Sequence, residues 1–391
     1  MLNTLFSPWP SFTKEEAEAV SQVLLSNKVN YWTGTEGREF EKEFAAWTGC
    51  DYAIAVSNGT VALDLALKAL GVGYGDEVIT TPRTFLASVS SIATVGATPI
   101  FSDVDLNSQV ITAEYIEAVL TKKTKAVIVV HLAGMPAEMD AIMALSEQHG
   151  FKVIEDCAQA HGATYKGLSV GSIGHIGAWS FCQDKIMTTG GEGGMLTTND
   201  TDLWAYMWSY KDHGKSFDAV YNKEHASGFR WLHESFGTNG RMTEMQAVIG
   251  RIQLKRMDKW SAQRRQNSSA IDSVVSDLDV VRSVKVPDYV EHAAYKHYMF
   301  VRPEFLSKEW TRDIIVNKIN ELGVPAYQGS CSEVYLEKAF LGTDWQPKRR
   351  LNNAKKLGET SLMFLVHPTL TKDEMDKSCQ VIRETLIKAQ R

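Results

Sequence analysis

Apolar runs of strand length alternate with helix-like stretches along residues 50–200. Two of these runs, AVIVV at 126–130 and KVIE at 152–155, follow amphipathic stretches at 113–121 and 138–149. Continuous apolar runs, as opposed to alternating ones, are typical of strands that are buried on both faces. The succession therefore predicts βαβ units, that is, an α/β fold with a mostly parallel sheet between helices.

The second half of the chain predicts a smaller unit. Residues 243–268 have the pattern of one long helix, which would carry the chain out of the first domain. Two strand-like segments and two helices then follow, at 279–286, 297–302, 308–321 and 371–389. We predict a large domain over residues 1–260, with an N-terminal helix packing toward the small domain, and a small α+β domain over 261–391.

The composition is that of an ordinary globular protein, since 44% of the 391 residues are hydrophobic and 23% are charged. The 41 basic and 47 acidic residues give a net charge of −6 without a block of like charges, which argues against a nucleic-acid partner. The five cysteines contain no C-x-x-C pair, so we expect neither a disulfide framework nor a metal site. Because we find neither a signal-peptide pattern nor a membrane-spanning run, we expect a cytoplasmic protein without a membrane partner.

A turn of small residues, SNGT at 57–60, stands between an apolar strand and an apolar helix. The N-terminus of a helix presents free N–H groups and the positive end of the helix dipole, so such a turn can hold a phosphate. An ordinary helix cap is the alternative, because serine, asparagine and threonine are all good capping residues. The turn by itself leaves both interpretations open.

A strand of the buried type, at 153–156, ends in two carboxylates, Glu155 and Asp156. Ligands of open α/β sheets bind at the carboxyl ends of the strands. A buried acid there needs a partner, and a cationic heteroaromatic nitrogen is a suitable one. Alternatively, Asp156 caps the next turn or pairs with a distant arginine.

Lys185 lies between a strand of small and aromatic residues, 177–181, and a glycine-rich turn, GGEGG at 190–194. A lysine that is shielded from water can act as a Schiff-base nucleophile, whereas most lysines are simply exposed at the surface. Phe85 adds an aromatic ring that can stack on a cofactor. The phosphate turn, the acid, the aromatic ring and the lysine are together the parts of a pyridoxal phosphate site.

Ordered motifs extend this pattern over nearly the whole chain: SNGTVALDLAL, GDEVITTPRTF, GATPIFSDVD, HLAGMPAEMD, VIEDCAQAHGA, GHIGAWSF, GEGGM and NGRMTEMQAVIGRIQL. With these motifs the chain resembles the sugar aminotransferases of the DegT/DnrJ/EryC1/StrS family, which are fold type I enzymes. The resemblance implies pyridoxal 5'-phosphate as the cofactor. It also implies an aspartate aminotransferase-like fold, in which a large cofactor-binding domain has a seven-stranded type of sheet and a small α+β domain follows.

The resemblance also implies roles for individual residues. Lys185 would form the Schiff base with the cofactor and move protons, and Asp156 would pair with the ring nitrogen. Gln159 would bond the ring hydroxyl, and Phe85 would stack on the face of the ring. The phosphate would be held by three residues: Gly59, Thr60 and Ser180.

Further residues are implied at the borders of the site. Asn239 and Arg241 lie in a segment that family members lend to the neighbouring subunit's site, so a homodimer with composite sites is implied. Asn239 would then serve the cofactor and Arg241 the substrate. Loop 211–236 contains His213 and Arg230 among other basic residues and suits an anionic acceptor, although a solvated loop of mixed charge is the alternative.

The chain departs from the usual family pattern in two places that affect these expectations. The turn that follows Lys185 is one glycine longer than the common form. Segment 327–335 stands where many members have a tyrosine and a histidine for the substrate, and here it begins with Tyr327. We name Tyr327 as a candidate substrate residue on that basis.

The activity that we predict is transfer of an amino group from glutamate to a keto-sugar for cell-surface polysaccharide synthesis. The acceptor is either a nucleotide-linked keto-deoxyhexose or an 8-keto-3-deoxy-octulosonate sugar acid. A pyridoxal phosphate-dependent sugar dehydratase is a second hypothesis, against which Lys185 speaks, since such relatives carry a histidine in its place. A non-catalytic binding module that keeps the fold is the third.

Overall fold

A computed structural model describes residues 6–391. Its strands are β1 Tyr52–Val56, β2 Glu77–Thr80, β3 Thr98–Phe101, β4 Thr124–Val130, β5 Lys152–Asp156, β6 Thr164–Tyr165, β7 Leu168–Ser169, β8 Ile176–Ser180, β9 Gly194–Thr198, β10 Val281–Ser283, β11 Val290–Glu291, β12 His297–Val301, β13 Ala326–Tyr327 and β14 Ser361–Phe364. Its α-helices are α1 Lys14–Leu25, α2 Glu36–Thr48, α3 Gly59–Ala69, α4 Ala87–Thr94, α5 Ala113–Glu117, α6 Met139–His149, α7 Thr201–Tyr210, α8 Phe217–Tyr221, α9 Glu244–Leu254, α10 Met257–Val275, α11 Arg312–Glu321, α12 Asn352–Thr360 and α13 Lys372–Ala389.

The central sheet has seven strands in the order β1-β9-β8-β5-β4-β2-β3. Strands β3, β2, β4, β5 and β8 run parallel to one another. Strand β9 is antiparallel to both of its neighbours, β1 and β8. The predicted α/β class with a mostly parallel sheet is confirmed.

Both faces of this sheet are covered, which explains why its strands are continuous apolar runs. In β1, Ile54 and Val56 belong to a core that also contains residues of α3. The alternate residues Ala53 and Ala55 belong to a second core on the other face. That second core is aromatic and includes Phe40, Phe44, Trp179 and Phe181.

The chain after residue 280 forms a four-stranded antiparallel sheet in the order β10-β12-β14-β13. Its core combines strand residues with residues of α10, α11 and α13, among them Ile271, Ile315, Leu362 and Ile382. A short sheet, β11-β6-β7, connects this part of the chain with residues that follow β5. Within residues 6–391, no helix combines the length and the apolar character that crossing a membrane requires.

Two expectations about the connecting helices differ from the structure. The predicted single helix over 243–268 is wrong, because α9 and α10 are separate helices that break at residues 255–256. Helix α10 runs through residue 260, and the division into domains over 1–260 and 261–391 stays a prediction. The segment before α1 reaches the core of the four-stranded sheet, where Phe6 is buried. Helix α1 itself is tied to Arg256, which pairs with Glu15 and Glu16.

The interior of the central sheet gives a test of stability. Ile128 in β4 is fully buried, and an Ile128→Ala variant should lose about 2–5 kcal/mol of unfolding free energy, because truncation removes buried area and leaves a cavity. Urea unfolding at one protein concentration measures the loss. The control is Leu25→Ala, whose side chain is exposed and which should change stability by less than about 0.5 kcal/mol. Equal losses for both variants would contradict the packing described here.

Candidate active site

One cavity lies at the carboxyl edge of the parallel strands, where ligands of open α/β sheets bind. Its volume is about 610 Å³. The turns after β1 and β2 and the ends of β5 and β8 surround it. The structure brings together here most of the residues predicted for the cofactor: Gly59, Thr60, Phe85, Asp156, Gln159, Ser180 and Lys185.

The turn before α3 combines a helix cap with a close backbone approach. Asn58 is the cap, and its side-chain oxygen accepts from the Val61 N–H at 2.9 Å. A Cβ atom on Gly59 would lie 2.6 Å from the Cβ of Ser180, so only glycine fits at position 59. The first N–H groups of a helix have no partner inside the helix, and here they belong to residues that line the cavity. The two interpretations of the turn are therefore compatible, because the cap and the phosphate cradle use different N–H groups.

Asp156 ends β5 and is 6% exposed. Its carboxylate accepts from the Ser88 hydroxyl at 2.8 Å and from the Ala158 N–H at 3.2 Å. Burial raises the pKa of Asp156 in spite of these bonds. A cationic ring nitrogen would offset that cost, which fits the role expected for this residue.

Ser88 and Thr84 are site residues that the sequence analysis missed. Their hydroxyl oxygens are 2.8 Å apart, and the Ser88 hydroxyl donates a hydrogen bond to the Asp156 carboxylate. Helix α4 is rich in small residues, so nothing in the sequence distinguishes these two hydroxyl residues from small residues that only allow the helix to pack. Only the fold shows that they face a carboxylate.

Gln159 and Phe85 could each contact a planar ring in the cavity, Gln159 through a hydrogen bond and Phe85 through stacking. The amide oxygen of Gln159 accepts from the Ala133 N–H at 2.7 Å, which leaves its amide nitrogen available as a donor. The ring of Phe85 lines the cavity and is 72% exposed. A large exposed aromatic face at a polar cavity is suited to stacking on a ligand. These observations, with the Gly59 cradle and the buried Asp156, fit pyridoxal phosphate.

Lys185 faces the cavity from the turn after β8. Its Nζ lies 3.9 Å from a carboxylate oxygen of Asp184 and 5.5 Å from the ring centroid of Tyr295. The Tyr295 hydroxyl donates to Asp184. Burial by itself would raise the pKa of Asp184, but the Lys185 ammonium and the Tyr295 hydroxyl lower it overall. From the N-terminal segment, Trp9 donates to the Lys185 carbonyl at 2.8 Å.

The longer glycine turn has a backbone that only glycine adopts readily. Gly190 and Gly191 both have positive φ, +87° and +119°. The Gly191 N–H donates to the Thr188 hydroxyl at 3.1 Å, and that hydroxyl donates to the Phe181 carbonyl at 2.8 Å. The extra glycine is thus absorbed in a compact turn, and Glu192 lines the cavity beyond it.

The remaining predicted residues do not line this cavity. Arg241 pairs with the buried Asp212, which bridges to Asn239. His213 and Arg230 are exposed, and Tyr327 is half-buried on β13. Their roles toward cofactor and substrate therefore stay predictions.

A comparison with known families decides the class of the protein. A sequence model described as the DegT/DnrJ/EryC1/StrS aminotransferase family matches residues 10–383. The chain belongs to this family. It is accordingly a pyridoxal phosphate-dependent aminotransferase, and the predicted enzyme class and cofactor are confirmed.

Individual relatives agree with this assignment. The solved aminotransferase from Psychrobacter cryohalolentis is 62% identical, covers 98% of this chain and 99% of its own, and superimposes with a TM-score of 0.97. The UDP-N-acetyl-3-dehydro-alpha-D-glucosamine 3-aminotransferase of Acidithiobacillus ferrooxidans is 35% identical over 93% of this chain and 92% of its own. The GDP-perosamine synthase of Caulobacter vibrioides is 35% identical over 91% and 92%.

The close approach of Gly59 to Ser180 generates a prediction about cofactor binding. A Gly59→Ala variant should bind pyridoxal phosphate about 10- to 100-fold more weakly, because the new methyl group forces the cradle apart at a cost of about 1–3 kcal/mol. Titration of cofactor-free protein, followed by visible absorbance, gives the dissociation constant. Gly73→Ala is the matched control, since its Cβ would come no nearer than 3.9 Å to another atom. Unchanged affinity in the Gly59 variant would refute the cradle.

Proposed function

We propose that the protein is a cytoplasmic aminotransferase that moves the amino group of glutamate to a nucleotide-linked keto-deoxyhexose for cell-surface polysaccharide synthesis. The observation that carries this proposal is the shared cavity, onto which the Lys185 amine, the Asp156 carboxylate and the Gly59 turn all open. The two curated relatives described above have UDP- and GDP-linked sugars in their names, which supports a nucleotide-linked acceptor. An 8-keto-3-deoxy-octulosonate is the alternative acceptor.

The residues around the cofactor site orient a planar ring and set its protonation. Pyridoxal phosphate, when bound, supplies an electron-poor ring that stabilises the electron pair left on carbon after a C–H bond breaks. The ionised Asp156 would favour a proton on the ring nitrogen. Gln159 would donate its free amide N–H to the ring hydroxyl, and Phe85 would cover one face. Each of these residues lines the same cavity.

Lys185 would be the general acid–base of the reaction. With the cofactor bound as the electron sink, the Lys185 Nζ at the cavity would act as the general base that takes a proton from the donor's α-carbon. Asp184, fixed by Tyr295, holds this nitrogen at the cavity. In the second half-reaction the order of proton transfers is reversed. Lys185 would then act as the general acid and give a proton to the sugar carbon that carries the new amino group.

The proposed reaction is tested by supplying glutamate together with each acceptor. We expect the holoenzyme to form amino-sugar and 2-oxoglutarate in equal amounts from the nucleotide-linked keto-sugar. Lys185→Ala should lower the rate by about 10²–10⁴-fold or more, because it removes the general acid–base. Chromatography of both products gives the stoichiometry, and Lys308→Ala, at an exposed position, is the control.

Other outcomes of the same assay select the alternatives. Turnover of the octulosonate alone would replace the nucleotide-linked acceptor. A keto product without amine transfer would identify a dehydratase. A protein that binds the cofactor but processes neither glutamate nor any acceptor would be a binding module.

We also propose that two copies of the chain share their sites. Segment 211–241 exposes large aromatic side chains, which is unusual for a surface in contact with water only: Phe229, Trp231 and Phe236 are 73%, 77% and 98% exposed. The predicted site residues Asn239 and Arg241 belong to this segment and lie outside their own chain's cavity. A homodimer would cover the aromatic residues and bring Asn239 and Arg241 to the partner's cavity.

A mixing experiment tests this sharing. Lys185→Ala and Arg241→Ala should each be strongly impaired alone, whereas dimers co-expressed from both should recover roughly a quarter of wild-type activity, since each heterodimer restores one intact site. The control pairs Lys185→Ala with Asp156→Asn, two residues of one cavity, and should recover nothing. Failure of the test pair to recover, as in the control, would show that Arg241 serves its own chain.

A further inference from the structure

Three hydrogen bonds hold Lys185 and its neighbour in the connection between β8 and β9. The N–H of Lys185 donates to the Cys182 carbonyl at 3.1 Å, and its carbonyl accepts from the indole N–H of Trp9 at 2.8 Å. The preceding carboxylate, Asp184, accepts from the Tyr295 hydroxyl. A residue has only two soft backbone torsions, so fixing the peptide groups on both sides of Lys185 fixes the direction in which its side chain leaves the backbone.

The indole of Trp9 is itself held in one orientation. Its ring meets Trp260 edge-on at a centroid distance of 5.1 Å and stacks on His367 at 5.9 Å. The Arg264 guanidinium lies 4.8 Å from the ring centroid. Edge-on, stacked and cation–π contacts all depend on the orientation of the ring. Together they direct the N–H of Trp9, which can donate but not accept, at the carbonyl of Lys185.

The segment that carries Trp9 is bound to the second half of the chain. The Ser7 hydroxyl donates to Glu374 in α13 at 3.0 Å. The Thr369 hydroxyl donates to the Pro8 carbonyl at 2.9 Å. Trp9 follows directly and does not line the cavity of the active site. Its hydrogen bond therefore joins the backbone of the lysine in the site to elements that pack on the four-stranded sheet.

We propose that Trp9 is a positioning residue for Lys185: its indole N–H fixes the lysine backbone so that Nζ meets the aldehyde carbon of pyridoxal phosphate. This inference rests on the proposed function, because it takes Lys185 as the lysine that reacts. In that reaction the amine condenses with the aldehyde, so that a C=N bond replaces the C=O bond and the oxygen leaves as water. Formation of such a bond depends strongly on how the reacting atoms are placed.

Two forms of the cofactor separate the positioning of Lys185 from the rest of the cavity. Pyridoxal phosphate has an aldehyde that condenses with a lysine, whereas pyridoxamine phosphate has an amino group there and binds by noncovalent contacts alone. The phosphate turn at Gly59 and the acid Asp156 would serve both forms alike. Loss of the bond from Trp9 should therefore weaken the binding of pyridoxal phosphate and leave the binding of pyridoxamine phosphate unchanged.

The test is a titration of the whole chain, freed of cofactor, with each form: visible absorbance follows pyridoxal phosphate, and calorimetry follows pyridoxamine phosphate. Trp9→Phe keeps a ring in the cluster and removes the N–H. We expect it to weaken pyridoxal phosphate binding about 3- to 10-fold, the equivalent of one hydrogen bond, with no change for pyridoxamine phosphate. Trp260→Phe is the matched control, because it alters the same aromatic cluster and leaves the bond between Trp9 and Lys185 in place. Both of its affinities should equal those of the wild type.

The thermal midpoint shows whether each variant is folded, and Trp9→Leu takes the place of Trp9→Phe if the latter is not. Equal losses for both forms of the cofactor would overturn the inference, because Trp9 would then only support the shape of the cavity. Unchanged affinity for pyridoxal phosphate in a folded variant would overturn it as well. Failure of the proposed function shows differently: Lys185→Ala would still develop the visible band of pyridoxal phosphate joined to a lysine.

Discussion

The site depends on how two adjacent carboxylates are divided between the faces of β5. Successive strand residues point to opposite faces, and the parallel pairing of β5 with β4 and β8 fixes which residue faces which side. Glu155 therefore points away from the cavity and accepts from His131 and from the backbone N–H groups of residues 171, 173 and 174. Asp156 points into the cavity. If the register of β5 slipped by one residue, Glu155 would point into the cavity and Asp156 would point to the opposite face of the sheet.

The environments of these two acids explain their different tasks. Burial raises the pKa of both, but His131 and the backbone donors more than offset it for Glu155, whose pKa is lowered overall. Asp156 has fewer donors, and its pKa stays raised. Glu155 is thus satisfied within the protein, whereas Asp156 keeps capacity for a cationic ligand. The sequence pattern predicts an acid at the end of this strand, but only the hydrogen bonds identify which of the two is free.

What the sequence predicts well is local. The alternation of elements, the glycine at the start of α3 and the lysine before a glycine turn are short-range signals, and they identify the fold class and most of the cofactor cavity. What it misses depends on residues far apart in the chain. Trp9 bonds the backbone of Lys185, and Tyr295 holds Asp184 from a segment beyond α10. The break between α9 and α10 was missed for a similar reason, since helical periodicity continues through it.

The second sheet is mechanically connected to the cofactor cavity. Arg83 is fully buried and donates to Ser332 at 2.8 Å and to Gln109 at 3.0–3.2 Å. The Val334 N–H donates to the Pro82 carbonyl at 2.9 Å. These bonds attach the turn that carries Phe85 to segment 327–335, where the sequence departs from the common family pattern. A shift of that segment therefore reaches the turn that carries Phe85 through two hydrogen bonds, which ties the geometry of the second half of the chain to that of the first.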